Sequence, residues 1–255
     1  MTADGTDAQF AAALARRAGG LLLELRASSG LNGKDLGKRG DAESNALLLS
    51  ELAESRPDDA VLSEESADSA ARLSADRVWI IDPLDGTREY GMEGRTDWAV
   101  HVALWQRGTD GAAGSGITAA AVAQPALDHV YVSDAARPGP SATNRPVFLV
   151  SDSRPPGFAP AVAEALDASL QPMGSAGAKA MAVLRGDADA YLHAGGQWEW
   201  DSAAPVGVAG AAGLHASRID GSPLVYNSEH PYLPDLLICR AELARPVLDA
   251  IAAAV

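Results

Sequence analysis

The stretch "RVWIIDPLDGT", residues 77–87, constrains the fold of this chain more than any other segment. Its apolar, β-branched start is typical of a strand that is buried on both faces, as in an α/β sheet. Asp82 and Asp85 then lie at the carboxyl end of that strand, which is the edge where open α/β sheets bind ligands. Because Pro83 fixes its own φ angle and Gly86 leaves room for close approach, the two carboxylates can converge on one point.

Two carboxylates this close repel each other unless one holds a proton, both accept hydrogen bonds or a cation binds between them. Ligands that are all oxygen favour a hard cation such as Mg²⁺. The alternative is a turn in which Asp85 only caps the backbone, because Asp-Gly is among the commonest turn dipeptides. The two aspartates alone leave both interpretations open.

Two other acidic stretches repeat this local design. The segment "AVLSEES", residues 60–66, ends an apolar strand in Glu64 and Glu65, and "WEWDSAAP", residues 198–205, places Asp201 at the start of a helix. Taken singly, such residues often form a solvated face. Together with the aspartates of the first motif, they predict one acidic site.

The composition is that of a globular chain of 255 residues, 47% hydrophobic, with a formal net charge of −14. This charge opposes binding to nucleic acid or to an anionic membrane, because both need basic patches that neutralise phosphates. Cys239 is the only cysteine, so a disulfide framework and a thiolate zinc cluster are excluded. The polar N-terminal segment does not have the form of a targeting signal, and we expect a cytoplasmic protein.

Hydrophobic periodicity predicts helices on a sheet in the first half of the chain and alternating helices and strands in the second, an α/β (α+β) protein. We expect a domain boundary in the segment 133–146, which is rich in Pro, Ser, Gly and Ala, and therefore two halves of residues 1–140 and 141–255. The predicted helices are 7–27, 41–55, 158–169, 175–185, 201–212 and 242–253, and the predicted strands are 60–63, 78–82, 97–105, 117–124, 129–133, 147–151, 170–174, 189–193, 214–217 and 236–240.

The segment "LNGKDLGKRG", residues 31–40, is rich in glycine and charge and predicts a flexible loop between the first two helices. Asp41 follows it directly. Its position predicts the N-cap of the second helix.

The motifs "SEES", "DPLDGTREY" and "WEWDSAAP", in this order and spacing, resemble the inositol monophosphatase superfamily of magnesium-dependent, lithium-sensitive phosphatases. The resemblance covers nearly the whole chain. It implies a layered αβαβα sandwich in which the first half carries most metal ligands and the second half carries Asp201 and substrate contacts. It also implies a homodimer and inhibition by Li⁺.

The resemblance gives roles to individual residues. Glu64, Asp82, Asp85 and Asp201 match the family's metal ligands, together with the backbone carbonyl of Leu84. They imply two or three Mg²⁺ ions between the two halves.

Three further positions match the family's groups for the substrate phosphate and the attacking water. Gly86 and Thr87 match positions whose backbone N–H groups meet the phosphate, and the Thr87 hydroxyl matches the group that orients the water together with an acidic residue. We assign that acidic residue to Asp41, although "GKRGD" lacks the threonine that often precedes the aspartate in the family. A helix cap at Asp41 is compatible with this role.

The residues after the aspartate motif indicate which phosphate ester is the substrate. Glu89, followed by an aromatic residue, is similar to the branch that hydrolyses 3′-phosphoadenosine 5′-phosphate to AMP and phosphate, which serves sulfate assimilation and nucleotide recycling. The match is best to the actinobacterial type. In the segment "GSAGAKAM" we expect Gly174, Ser175 and Lys179 to contact the substrate, together with Asp201, whereas the alternative for Lys179 is an exposed helix lysine.

Other interpretations stay open. The substrate could instead be inositol-1-phosphate or fructose-1,6-bisphosphate, and the chain could be a catalytically silent metal or nucleotide sensor. The complete acidic set argues against a sensor. His193 is expected to be structural, and Trp198 and Trp200 could shield the site or stack on a base, although aromatic residues beside a helix start usually pack.

Overall fold

The computed structural model of the protein describes residues 5–109, 111–142 and 145–255. These residues form two five-stranded sheets with helices between them and on both outer faces. The layers are therefore helix, sheet, helix, sheet, helix. This confirms the fold class and the αβαβα layering that the sequence predicts.

The first sheet follows chain order, and its first two strands are parallel while the others are antiparallel. It is built from β1 (Ala60–Ser63), β2 (Arg77–Asp85), β3 (Ala99–Gly108), β4 (Gly111–Gln124) and β5 (His129–Val132). The outer face of this sheet is covered by α1 (Asp7–Ser28) and α2 (Gly33–Ser55).

The second sheet has the strand order β7-β6-β8-β10-β9, with β6 parallel to both of its neighbours. Its strands are β6 (Val147–Ser151), β7 (Ser169–Met173), β8 (Ala190–Trp198), β9 (His215–Ser217) and β10 (Tyr232–Cys239). Its outer face packs on α4 (Ala159–Ala165) and α7 (Ala244–Ala254).

The middle layer consists of α5 (Ala176–Arg185) and α6 (Glu199–Ala211), which pack against both sheets in one continuous apolar core. A short helix, α3 (Thr87–Tyr90), follows β2 directly. Because the core of the middle layer joins residues from both halves of the chain, the acidic side chains that the sequence analysis singled out in the two halves can meet there. The boundary between residues 140 and 141 stays a prediction.

The start of α2 corrects the sequence analysis. The predicted loop at 31–40 is wrong, because α2 begins at Gly33, and Asp41 is a buried residue inside this helix rather than its N-cap. The glycines of this segment serve close packing: a Cβ on Gly37 would lie 2.6 Å from Thr87 Cγ2, and one on Gly40 would lie 2.8 Å from Tyr90 Cε1. Glycine-rich segments are typical of loops, but here the glycines let helix α2 pack closely against the turn between β2 and α3.

The remaining predicted elements are present, but some of their bounds differ: β4 begins at Gly111, six residues before the predicted start, β8 ends at Trp198, five residues beyond the predicted end, and β10 begins at Tyr232, four residues before the predicted start. Helix α4 ends at Ala165, four residues before the predicted end. The segment 133–146 contains no helix or strand in its described residues, and residues 143 and 144 of it lie outside them. Among the helices of the described chain, none combines the length and apolar character needed to cross a membrane.

Candidate active site

The carboxyl end of β2 places two aspartates side by side. Asp82 pairs with His101 on β3 and Asp85 pairs with Ala99, so that the register of the two strands shifts between these pairs. Such an irregularity bends a strand and redirects its side chains. Both aspartates are buried, at 1% and 7% exposure, in spite of their charge.

A third aspartate reaches this point from the other half of the chain. Asp201 is the third residue of α6, and its Oδ2 accepts a hydrogen bond from the backbone N–H of Trp198 at 2.6 Å. One carboxylate oxygen from each of Asp82, Asp85 and Asp201 lies within 4.8 Å of the others. The structure therefore brings together the predicted aspartates of two distant motifs.

Burial and mutual repulsion disfavour the ionised form of most carboxyl groups at this point. Burial, followed by the charges of Glu64 and Asp85, raises the pKa of Asp82 well above its usual range. Burial and the charge of Asp85 raise the pKa of Asp201 to about 6. Partial desolvation on the side that faces the cleft, together with the charges of Asp201 and Asp41, raises the pKa of Glu64 to about 8, although the residue as a whole is exposed.

Asp85 is the exception. Burial disfavours its charge, but His101 and the hydroxyl of Ser175 outweigh this effect and lower the pKa of Asp85 to about 2. Its oxygens accept hydrogen bonds from Ser175 Oγ at 2.5 Å, from the N–H of Ala176 at 3.1 Å and from the N–H of Gly177 at 2.7 Å. The start of α5 therefore holds Asp85 ionised.

This donor set fits a hard divalent cation. Three converging carboxylates offer only oxygen ligands, and a bound cation would relieve the repulsion that raises the pKa values of Asp82 and Asp201. Glu64 lines the same cleft. The carbonyl oxygen of Leu84 accepts a hydrogen bond from Thr87 Oγ1 at 3.1 Å, which places the predicted backbone ligand beside the predicted catalytic hydroxyl.

Asp41 and Thr87 lie in hydrogen-bond contact although 46 positions separate them in the chain. Thr87 Oγ1 is 3.2 Å from Asp41 Oδ1. The Thr87 hydroxyl can donate its one hydrogen bond either to this oxygen or to the Leu84 carbonyl. Burial, together with the charge of Glu65, raises the pKa of Asp41 to about 7. The helical position of Asp41 thus keeps the pairing that the sequence predicts, by a different local structure.

Gly86 occupies a position that only glycine adopts without strain. Its φ angle is 85°, in the left-handed region, and a Cβ there would lie 3.0 Å from the carbonyl oxygen of Asp97. This conformation turns the chain from β2 into α3 within one residue. Thr87 consequently begins α3 with its hydroxyl within hydrogen-bond distance of Asp41 and the Leu84 carbonyl.

Glu89 and Gly174, both predicted to contact the substrate, contact each other. Glu89 is buried at 4% exposure, and its Oε1 accepts hydrogen bonds from Arg88 Nε at 2.8 Å and Nη2 at 2.6 Å. A Cβ on Gly174 would lie 2.4 Å from Glu89 Cδ. The N–H of Gly174 donates to Asp97 Oδ2 at 2.8 Å.

Ser175 and Lys179 stabilise the junction between the end of β7 and the start of α5. Ser175 has a positive φ of 52° and caps α5, since its Oγ accepts from the N–H of Ala178 at 2.9 Å. The ammonium of Lys179 donates to three backbone carbonyls, at 2.6 Å for Ser175 and 3.2 Å for Gly174, and at 3.3 Å for Met173. Lys179 is 3% exposed, so the interpretation as an exposed helix lysine is wrong. Burial lowers the pKa of Lys179 to about 8.

One cleft of about 590 Å³ between the two halves is bordered by many of these groups, among them Asp85, Thr87, Lys179 and Asp201, whereas Asp41, Asp82 and Gly86 are not among its lining residues. The substrate roles of Gly174, Ser175 and Lys179 stay predictions. A larger cavity of about 790 Å³, lined among others by Trp105 and Tyr226, lies elsewhere, and none of the clustered aspartates borders it.

His101 is a site residue that the sequence analysis missed. The imidazole is fully buried, with Nε2 at 3.2 Å from Asp85 Oδ2 and Nδ1 at 3.1 Å from the carbonyl oxygen of Trp200. Burial alone would lower the pKa of His101, but the Asp85 carboxylate raises it. The signal that could have identified it is the pairing of β2 with β3, which sets His101 opposite Asp82.

A second missed group borders the cleft on the other side. Arg88 pairs with both Glu89 and Asp152, and Asp152 also pairs with Arg95 at 3.4 Å. Asp152 lies in the loop after β6 and has no motif in the sequence that marks it. The pairs of Asp152 with Arg88 and Arg95 link the two halves beside the cleft.

Comparison with known proteins agrees with this geometry. The chain is 56% identical over 256 residues to the 3′-phosphoadenosine 5′-phosphate phosphatase of Mycobacterium leprae, covering 98% of this chain and 94% of that protein. It is 57% identical over 240 residues to the protein of the same name from Mycobacterium tuberculosis, covering 92% and 89%. Inositol monophosphatase II from Staphylococcus aureus superposes with a TM-score of 0.78 at 20% identity, covering 94% and 93%.

The model of the inositol monophosphatase family matches residues 5–247, nearly the whole chain. The match includes the acidic cluster, the Asp41–Thr87 pair and the turn at the start of α5. The chain belongs to the inositol monophosphatase family, as its three acidic motifs predicted.

Proposed function

We propose that this protein hydrolyses 3′-phosphoadenosine 5′-phosphate to AMP and inorganic phosphate in a reaction that requires Mg²⁺. The observation that carries this proposal is the convergence of Asp82, Asp85 and Asp201 within 4.8 Å beside the Asp41–Thr87 pair. The substrate is proposed from the two mycobacterial relatives, which bear the name of this activity and share more than half of their residues with the chain.

The ligands proposed for two or three Mg²⁺ ions are Glu64, the three clustered aspartates and the Leu84 carbonyl. Bound Mg²⁺ would lower the pKa of a water molecule, polarise the phosphoryl oxygens and neutralise the leaving alkoxide. Ser175 and Gly177 donate hydrogen bonds to the Asp85 carboxylate. This carboxylate would therefore already be ionised when a cation binds.

Asp41 and Thr87 are proposed to position and deprotonate the attacking water. With a pKa of about 7, Asp41 can accept a proton near neutral pH, and the Thr87 hydroxyl lies within hydrogen-bond distance of both Asp41 and the Leu84 carbonyl. The Gly86–Thr87 backbone at the start of α3 is proposed to donate to the substrate phosphate.

Five residues are proposed to shape the substrate side of the cleft: Glu89, Gly174, Ser175, Lys179 and Asp201. The homodimer, the cytoplasmic location and inhibition by Li⁺ stay predictions.

The test is phosphate release from 3′-phosphoadenosine 5′-phosphate, inositol-1-phosphate and fructose-1,6-bisphosphate under identical conditions, with Mg²⁺ and with EDTA. We expect turnover that requires Mg²⁺ and favours the adenosine bisphosphate. Preference for a sugar phosphate would overturn the substrate and keep the metal site. Turnover in EDTA equal to that in Mg²⁺ would overturn the metal site.

A further inference from the structure

Helix α2 presents three polar side chains to the active site from one face. Asp41, Ser44 and Asn45 are spaced i, i+3 and i+4, which places them on the same side of a helix. Asp41 contacts Thr87. Ser44 is fully buried, and its Oγ donates to the carbonyl oxygen of Pro83, at the end of β2, at 2.7 Å. Two residues of this face thus contact the site, and the third, Asn45, has no part in the chemistry proposed above.

Asn45 contacts the turn that carries Glu64. This turn consists of residues 63–66 and begins at the last residue of β1. Asn45 Oδ1 accepts a hydrogen bond from Ser63 Oγ at 2.7 Å, and Asn45 Nδ2 donates to Ser66 Oγ at 3.2 Å. One side-chain amide therefore holds both ends of a four-residue turn.

The backbone of this turn is only weakly closed. The N–H of Ser66 lies 3.4 Å from the carbonyl oxygen of Ser63, beyond the usual range of about 2.7–3.2 Å. Glu64 is an exposed residue that borders the cleft. Because an exposed side chain on a weakly closed turn is not fixed by packing, the location of the Glu64 carboxylate depends on the contacts that anchor the turn.

Electrostatic repulsion acts to move this turn away from the site. The charge of Glu65 acts on Asp41, and the charges of Asp201 and Asp41 act on Glu64. Like charges at close range favour separation unless a cation binds between them. Asn45 is uncharged, so its two hydrogen bonds hold the turn in place without adding to the repulsion.

The position of Asn45 in the helix indicates that its side chain serves a tertiary contact. Asn45 lies in the middle of α2, where helix propensity favours alanine over asparagine. The same preference makes Asn45→Ala a suitable variant, because it removes the amide without weakening the helix.

We propose that Asn45 is a positioning residue for the metal site: it holds the turn of residues 63–66 so that the Glu64 carboxylate lies where it can help to bind Mg²⁺. This inference rests on the proposed function, in which Glu64 is a ligand, and it adds the residue that places this ligand. Since Asp41 lies about one helical turn before Asn45, α2 also sets the distance between Glu64 and the Asp41–Thr87 pair.

The test measures the dissociation constant of Mg²⁺ by titration calorimetry of the metal-free protein without substrate, so that the readout does not depend on activity. For Asn45→Ala we expect Mg²⁺ to bind about tenfold or more weakly, because partners that orient a metal ligand typically contribute about 10- to 100-fold to affinity. The melting temperature in EDTA checks that the variant is folded.

A second variant and a control accompany Asn45→Ala. Ser66→Ala removes one of the two hydrogen bonds from the turn itself, and it should weaken Mg²⁺ binding about two- to tenfold. Asn32 begins the same helix, is exposed and makes no side-chain cap hydrogen bond, so Asn32→Ala should leave the affinity unchanged.

A double-mutant cycle with Glu64→Gln separates positioning from a general structural effect. Glu64→Gln alone should weaken Mg²⁺ binding. In the Glu64→Gln background, Asn45→Ala should cause no further loss, because the turn no longer carries a ligand that needs to be positioned.

Unchanged Mg²⁺ affinity in Asn45→Ala, while Glu64→Gln binds Mg²⁺ more weakly, would overturn the positioning role and leave the proposed metal site intact. An equal loss from Asn45→Ala in the wild-type and Glu64→Gln backgrounds would overturn it too, as would an equal loss in Asn32→Ala. If Glu64→Gln binds Mg²⁺ as tightly as the wild type, Glu64 is not a ligand, and the role of Asn45 fails with it.

Discussion

Asp82 and Asp85 lie three positions apart, yet their carboxyl groups meet opposite environments. Asp82 accepts one backbone hydrogen bond, from the Leu84 N–H at 3.0 Å, and faces the other carboxylates, so its pKa is raised by burial and repulsion. Asp85 is held by the start of α5 and by His101, so its pKa is lowered in spite of burial. The same substitution should therefore affect stability in opposite directions at the two positions.

We expect Asp82→Asn and Asp85→Asn both to abolish turnover, since each removes a proposed metal ligand. In EDTA at pH 8, Asp82→Asn should raise the melting temperature by about 2–4 °C, because a buried repulsion disappears. Asp85→Asn should lower the free energy of unfolding by about 3 kcal/mol, because His101 and the α5 donors lose an ionic acceptor. Thermal unfolding and phosphate release measure the two effects, with exposed Asp76→Asn as the control. Shifts of the same sign for both variants would contradict this account.

The packing of α2 against the β2–α3 turn shows how an element positions catalytic groups. Gly37 faces Thr87, and Asp41 lies about one turn further along the same helix. The distance between Asp41 and Thr87 therefore depends on how closely the helix approaches. Glycine permits this approach at the cost of helix propensity.

We expect Gly37→Ala to lower kcat about 10- to 100-fold, because its Cβ, 2.6 Å from Thr87 Cγ2, would displace the threonine by a fraction of an ångström or more. Gly20→Ala in α1 is the matched control, since nothing lies within 4 Å of a Cβ there. It should stabilise the protein by about 0.5–1 kcal/mol with no loss of rate. Steady-state kinetics with thermal unfolding separates the two effects, and equal kcat for wild type and Gly37→Ala would show that α2 does not set the geometry.

Sequence patterns predicted elements well where one strong local rule applies. The apolar run before Asp82 indicated β2, and the position of Asp201 after "WEW" indicated the start of α6. The prediction of a loop at 31–40 was wrong because glycine occurs both in loops and where two elements pack closely. Only the tertiary neighbours of the segment distinguish these two cases. His101 was missed because its role depends on strand register, which the periodicity of a single strand does not contain.

At the scale of the whole molecule, the acidic site exists because the two halves share the core of the middle layer. Each half contributes negative charge to one cleft. The start of α5, in the second half, donates hydrogen bonds to Asp85, in the first half. The family resemblance placed Asp201 in this site, but no local pattern could have predicted that Asn45 contacts both ends of the turn that carries Glu64. Such a feature depends on all the elements that surround it.

The concentration of carboxylates makes the stability of the metal-free protein dependent on pH. The folded pKa values of Asp201, Asp41 and Glu64 are about 6, 7 and 8, whereas unfolded carboxyl groups titrate near about 4. A carboxyl group with a raised folded pKa contributes stability that is fully present below the unfolded pKa and is lost as the pH rises through the folded pKa. Lys179, whose pKa is about 8, acts in the opposite direction only near and above that pH.

We therefore expect the melting temperature in EDTA to fall steadily between about pH 5 and pH 8. Mg²⁺ should reverse this trend, because it binds the ionised carboxylates of the folded state, and at about 100 times its dissociation constant it should add about 2.7 kcal/mol. The gain in melting temperature from Mg²⁺ should accordingly be larger at about pH 8 than at about pH 6, and Asp82→Asn should show a smaller gain at both. Thermal unfolding over this range, with and without Mg²⁺, measures all of these differences. A gain from Mg²⁺ that is the same at both pH values, or that persists in full in Asp82→Asn, would mean that the cation binds somewhere other than the aspartate cluster.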